Sequence, residues 1–320
     1  MSDYIAFPTL GWRFSISDTL AEFSLFGMEF SIKWYMVLVL IGFLLALIYA
    51  YARVKKFELD PDRMFDVVII STVAAIIGAR LYYILFAPAE IQEVYFADPV
   101  QMLLVWDGNF GLFGGILVAF LVGALVCRWR KVDTWSMFDL AATGLLIGQA
   151  VGRWGDFFHQ TAFGVNTDLP WGMTGSEILL GTSEAYNPLK PVHPAFLYES
   201  LWCVLGFLLL HLLSQKCYKF KGQLFGIYLI WYGCGRFVIE GLYVDSLYLG
   251  TMRVSQLFAV VAVIVGALVL ILRRAKQNVT AVELSADEPS AYSYLLDDEE
   301  EQTDAPQEGE EETVLTEEEM

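Results

Sequence analysis

The stretch Gly144-Leu145-Leu146-Ile147-Gly148-Gln149-Ala150-Val151-Gly152-Arg153-Trp154-Gly155-Asp156-Phe157-Phe158-His159 decides how the chain is read. Its first half closes an apolar run that starts near residue 136, close to the roughly 20 residues a helix needs to cross a bilayer. Gly144, Gly148 and Gly152 recur every fourth residue and share one helix face, where missing side chains let a second helix come close. Packing accounts for that stripe. It does not account for an arginine, an aspartate and a histidine directly after it, because charges at membrane depth are costly and face a partner or an aqueous cavity. A guanidinium beside glycine-exposed N–H groups suits a phosphate, which arginine grips bidentately. An ion pair between Arg153 and Asp156 is the plainer alternative.

Working outward, six more apolar segments flank this one. The expected spans are 34–52, 66–86, 111–128, 136–153, 195–214, 222–241 and 251–272. Lys and Arg collect in cytoplasmic loops. Here Arg53, Lys55, Lys56 and Arg63 follow the first span, and Arg128, Arg130 and Lys131 the third. Lys216, Lys219 and Lys221 follow the fifth, and Arg273, Arg274 and Lys276 the seventh. The opposite side holds only Arg13, Lys33 and Lys190. The reading is an all-α integral membrane protein of about seven transmembrane helices, N-terminus outside and C-terminus in the cytoplasm. Met1-Ser2-Asp3-Tyr4 lacks the basic start of a cleavable signal, so the first span is expected to stay in place.

Composition agrees. Hydrophobic residues make up 56% and charged residues 18% of the 320, against about a quarter charged in soluble domains. That disfavours a soluble enzyme, a nucleic-acid binder and a disordered chain. The net charge of −17 sits in a tail, since 16 of the 37 acids lie beyond the last base, Lys276. Two regions follow: a membrane domain over 1–276 and an acidic tail over 277–320, too polar to build a core and expected to be disordered. Cys127, Cys203, Cys217 and Cys234 match no zinc or redox spacing.

Four arginines, Arg80, Arg153, Arg236 and Arg253, lie in or beside apolar segments and are candidate functional groups, with snorkelling near a helix end as the alternative for Arg80 and Arg253. Three motifs accompany them. Trp106-Asp107-Gly108-Asn109-Phe110-Gly111-Leu112-Phe113-Gly114-Gly115 is glycine-rich where an outer loop meets the third span, and a broken, re-entering chain is expected there. His193-Pro194-Ala195-Phe196-Leu197-Tyr198-Glu199 starts the fifth span, with Pro194 in a first turn and a carboxylate, Glu199, one turn inside. Arg236 and Glu240 end the sixth, one helical turn apart and able to pair.

Together these motifs resemble the prolipoprotein diacylglyceryl transferases, bacterial membrane enzymes that begin lipoprotein maturation. The similarity covers about residues 5–275. It includes Lys33-Trp34-Tyr35, Gly78-Ala79-Arg80-Leu81-Tyr82-Tyr83, Asp98-Pro99, the 152–164 signature, His193 to Glu199, and Arg236 to Gly241 followed by Asp245-Ser246-Leu247. The resemblance implies transfer of the diacylglyceryl group of phosphatidylglycerol to the lipobox cysteine thiol of a preprolipoprotein signal peptide, in the bacterial inner membrane. It implies no metal and no organic cofactor. It also implies that Arg153, with Gly155 and Gly164, binds the lipid phosphate, and that Tyr35, Glu199 and Glu240 serve catalysis.

The chain departs from the family pattern at Phe113, usually histidine, Asp156, usually asparagine, Thr161, usually glutamate, and Tyr243, usually arginine. The first of these removes the usual candidate base. His159 or Asp156 is then expected to take the thiol proton, and Tyr243 to offer a hydrogen bond in place of a charge. Arg80 and Arg236 complete the expected substrate-binding set. The alternatives are a relative that binds an anionic lipid without transferring it, and a small-solute transporter, which also uses broken helices and buried arginines.

Overall fold

The computed structural model describes residues 3–25, 28–97, 111–181, 185–244, 248–249 and 252–287. The motifs at 98–110 and 245–247 and the tail from 288 lie outside the described residues. Met1–Arg273 and Arg274–Met320 are separate compact units.

All seven apolar segments are helical. Helix α1 is Trp34–Arg53, α2 Pro61–Phe86, and the short α3 Ala89–Ala97. Then come α4, Leu112–Trp129, α5, Thr134–Gly152, and the short α6, Trp154–His159, and α7, Ser176–Leu180. The chain closes with α8, Ala195–Lys216, α9, Gln223–Glu240, and α10, Val254–Asp287. Among the described residues, four stretches are long and apolar enough to cross a membrane: Trp34–Phe57, Pro61–Phe86, Ala195–Lys216 and Val254–Asn278. Helix α5 lies inside the bundle against α1, α8 and α9, and a helix enclosed by protein tolerates polar residues that lipid would not. The outward faces are apolar instead: Leu40, Ile48, Leu85, Leu125, Leu212 and Ile264 are all exposed. A soluble bundle would carry charge there.

The glycine stripe performs the packing expected of it. A methyl group on Gly42 of α1 would lie 2.9 Å from the Gly148 carbonyl oxygen, and Gly144 faces Ala46. Backbone therefore meets backbone between α1 and α5, which sets the position of Arg153 at the end of α5.

One end of the bundle gathers the basic residues. Arg130 pairs with Asp66, Lys221 with Glu58 at 3.0 Å, and Arg53 donates to Ser214 at 3.2 Å. Asp60 and Asp133 cap α2 and α5, accepting from the N–H groups of Arg63 and Ser136. Buried Asp139 accepts from the N–H groups of Gly222 (2.6 Å) and Phe225 (2.8 Å) and the hydroxyl of Tyr218 (2.8 Å). It thereby closes the N-terminus of α9 from a neighbouring helix.

The opposite end departs from the all-α expectation. Strands β1, Tyr4–Phe7, and β2, Trp12–Ser15, pair antiparallel, turning through Gly11 at φ +70°, and β1 also pairs with β5, Thr174–Gly175. Strands β3, Thr19–Leu25, and β4, Met28–Lys33, form a hairpin that leads into α1. The segment Met28-Glu29-Phe30-Ser31-Ile32-Lys33 alternates apolar and polar residues as a strand does, whereas β5 is recognisable only by its partner. At the other end of the chain, α10 continues to Asp287. Residues 277–287 hold only two acids and no proline or glycine, so nothing local stops the helix at Lys276.

Candidate active site

The site is built where α5 ends. Arg153 occupies the joint between α5 and α6, and α6 stops after one and a half turns because Gln160 turns left-handed at φ +49°. The Gln160 side chain fixes that turn by donating to Ser176 Oγ (2.9 Å) and accepting from the Glu177 N–H (3.0 Å). Gly155 has no room for a side chain: a methyl group there would lie 2.6 Å from the Tyr35 ring. The first turns of α1 and α6 thus interlock beside Arg153.

From this joint a chain of charges runs across three helices. Arg153 Nη1 meets Asp156 Oδ2 at 3.1 Å, and Nη2 meets Glu199 Oε2 at 2.5 Å. Arg236 Nη1 bonds Glu199 Oε1 at 2.5 Å, and its Nη2 lies 2.7 Å from Glu240 Oε2. The Tyr243 hydroxyl donates to Glu199 Oε1 at 2.8 Å, while its ring lies 5.2 Å from the Arg236 guanidinium. Thr161 donates to Asp156 Oδ1 at 3.3 Å. Glu199 and Glu240 are almost wholly enclosed, whereas the Arg153 side chain stays 27% exposed. Among the described residues the carboxylates Asp156, Glu199 and Glu240 share the guanidiniums of Arg153 and Arg236, with the Arg253 guanidinium on the Glu240 carbonyl.

The expected residues divide accordingly. Arg153, Asp156, Glu199, Arg236, Glu240 and Tyr243 come together, with Tyr35 and Gly155 beside them. Both ideas about Arg153 and Asp156 survive, since the ion pair exists at a partly open arginine. Gly164 pairs with Tyr243 in an isolated bridge, and its methyl would lie 2.8 Å from the Leu242 carbonyl, so it packs the floor under Tyr243. Arg253 donates to the carbonyls of Glu240 and Tyr243 (3.1 Å to the latter), closing the end of α9. Arg80 is buried in α2, 5.1 Å from the Tyr95 ring of α3. The described contact ties it to α3.

His159 lies on a different wall. It lines a cavity of about 660 Å³ together with Asp18, Phe158, Gln160, Thr161 and Glu177. Thr161 is common to this cavity and to Asp156, so the two spaces adjoin. The Thr19 hydroxyl bond, ahead of Lys33, holds Asp18 below the usual carboxylate range. His193 sits apart: burial pushes its imidazole down, and Nδ1 lies 3.1 Å from the Tyr198 hydroxyl, which accepts from Trp171. Cys127 and Cys203 are buried and Cys217 and Cys234 exposed, all as free thiols.

Two polar groups escaped the sequence reading. Asp139 lies inside the 136–153 run and obeys the rule that singled out the arginines, that an intramembrane charge needs a partner. Gln149, noticed only as an interruption, donates to the Tyr228 hydroxyl at 3.1 Å and accepts from the Cys203 thiol.

A helical bundle with apolar outer faces, enclosing a chain of arginines and carboxylates at one end, defines a membrane protein with a polar site. The family model for prolipoprotein diacylglyceryl transferase matches residues 23–272. The chain is 35% identical over 253 residues to the phosphatidylglycerol–prolipoprotein diacylglyceryl transferase of Streptococcus agalactiae, covering 78% of this chain and 95% of that protein. The protein of the same name from Limosilactobacillus reuteri is 37% identical over 251 residues, 78% of this chain and 90% of that one. The Staphylococcus xylosus protein is 32% identical over 249 residues, 77% of this chain and 87% of that one. The chain belongs to the prolipoprotein diacylglyceryl transferase family. Membership favours a transferase over the solute transporter.

Proposed function

We propose that this protein transfers the diacylglyceryl group of phosphatidylglycerol to the lipobox cysteine thiol of a preprolipoprotein, at the outer face of a bacterial cytoplasmic membrane. The observation that carries the reading is the position of Arg153, partly open and held from behind by Glu199 and Asp156. In this reading the chain has seven spans with an outer N-terminus, Arg153 lies at the depth of a lipid headgroup, and the basic residues face the cytoplasm.

In the proposed reaction Arg153 trades a carboxylate for the phosphate, which exposes the adjoining glyceryl carbon to the thiol. The cysteine thiolate attacks that carbon, the C–S bond forms as the C–O bond to phosphate breaks, and glycerol phosphate leaves with the bonding electrons. Thiolate is the nucleophile, so a base must take the thiol proton. His159 fills this role from the adjoining cavity, while Asp156, already engaged by Arg153 and Thr161, orients the arginine. Glu199 accepts three strong hydrogen bonds and is a poor base; its part is to hold Arg153 and Arg236 at one spacing, with Glu240 steadying Arg236.

The test uses detergent-purified protein, phosphatidylglycerol and a lipobox peptide, with the peptide's gain of a diacylglyceryl mass as readout. Wild type gains it, and Arg153→Ala and His159→Ala lose at least about a hundredfold in rate, as expected for a buried charge partner and a general base. No gain with wild type, despite Arg153-dependent lipid binding, overturns the transferase reading in favour of a lipid binder. Full activity in His159→Ala removes His159 as the base.

A further inference from the structure

Helices α8 and α9 carry Glu199, Arg236 and Glu240, and they are joined by a feature outside the charge chain. Trp202 Nε1 donates to the Trp231 carbonyl at 3.0 Å, and Trp231 Nε1 donates to the Trp202 carbonyl at 3.0 Å. The two indoles stack with centroids 4.3 Å apart and planes 16° from parallel. Each ring sits in a notch cut by a glycine of the facing helix. A methyl on Gly235 would lie 2.1 Å from Trp202 Nε1, and one on Gly206 would lie 2.4 Å from Trp231 Nε1. In each case the glycine is four residues past the accepting carbonyl, where a larger side chain would cover it.

Such a clasp has a consequence for the site. Between lipid-embedded helices apolar packing gives little longitudinal preference, since lipid tails are as apolar as leucine. Directional hydrogen bonds into fixed notches do give one. Trp202 lies three residues below Glu199 and Trp231 five before Arg236, about 5–8 Å along the helix axes at a rise of about 1.5 Å per residue. Slip by one residue, about 1.5 Å, would exceed what the 2.5 Å Glu199–Arg236 contact between the two helices tolerates. Trp202 also packs in the small apolar cluster of Ala195, Ile239 and Tyr243, directly under the hydroxyl that bonds Glu199.

We propose that Trp202 and Trp231 are positioning residues: their reciprocal clasp sets the axial register of α8 against α9, and with it the spacing of Glu199 from Arg236. Its effect on turnover rests on the transferase reading; its effect on register does not. The experiment compares Trp202→Phe, Trp231→Phe and the double variant, which keep an aromatic ring but lose the indole N–H. Spin labels are placed at Leu201→Cys and Val238→Cys, exposed positions of α8 and α9, with Cys217 and Cys234 replaced by serine.

The expected result has three parts. Dipolar broadening between the labels changes, turnover falls about tenfold as for one lost hydrogen bond with KM for phosphatidylglycerol kept, and the double variant is no worse than either single one. Unchanged broadening in folded variants overturns the proposal, whether or not turnover falls. A turnover loss that only follows a lowered melting temperature overturns it too. Altered broadening in a protein whose wild type transfers nothing upholds the clasp and defeats the transferase reading instead.

Discussion

Asp139 and Glu199 are both buried carboxylates on interior faces of the bundle, and they are satisfied in opposite ways. Asp139 takes two backbone N–H groups and a tyrosine hydroxyl. Glu199 takes two guanidiniums and a tyrosine hydroxyl. Backbone donors at a helix start cannot leave without unwinding the helix, so Asp139 is bound into the fold. Guanidiniums can change partner, and a phosphate is a better partner than a carboxylate when it brings more acceptor oxygens. The difference separates a carboxylate that holds the structure from one that holds movable charge.

The sharpest way to break this contrast is Glu199→Ala, which leaves two partly exposed arginines without their shared anion. A fall in kcat/KM of about a hundredfold is expected from their misplacement. Asp139→Ala should instead lower stability by about 2–4 kcal/mol through three orphaned donors. Thermal unfolding in detergent should show the loss, while the folded fraction keeps a wild-type KM. Equal catalytic damage from both would erase the distinction. Tyr243→Phe removes one donor from Glu199 and should cost about 1 kcal/mol in kcat/KM, with little change in melting. Lys221→Ala, which breaks a surface pair with Glu58 at the basic end, should change neither stability nor turnover by more than about 0.5 kcal/mol.

Much of this architecture was readable in the chain because hydropathy and glycine spacing are local properties. The seven apolar runs became helices, and the 144–152 stripe became the α1–α5 contact. Arg153, Glu199, Arg236 and Glu240 stood out because charge within an apolar run is conspicuous wherever it falls. Their connectivity was not readable: Arg236 with Glu240 follows from helix periodicity, but Glu199 bridging both arginines depends on how three helices cross. His159 illustrates the same limit, since it lines the cavity while Asp156, three residues earlier, pairs with Arg153. The strands before α1 pair as local hairpins and leave a local signal in the alternation of Met28-Glu29-Phe30-Ser31-Ile32-Lys33; only β5, through residue 175, depends on a partner far away in sequence. Asp139 was legible and passed over, hidden by an apolar run whose arginine drew the attention.

The exposed leucines and isoleucines on α1, α2 and α8 carry a kinetic consequence. A donor lipid whose tails stay among those side chains never has to be extracted into water, so its encounter with the enzyme is a two-dimensional search. The effective substrate concentration is then a mole fraction in the bilayer. Diluting phosphatidylglycerol with a neutral lipid at constant total lipid should slow the reaction, whereas diluting whole vesicles with buffer should leave the rate per enzyme unchanged.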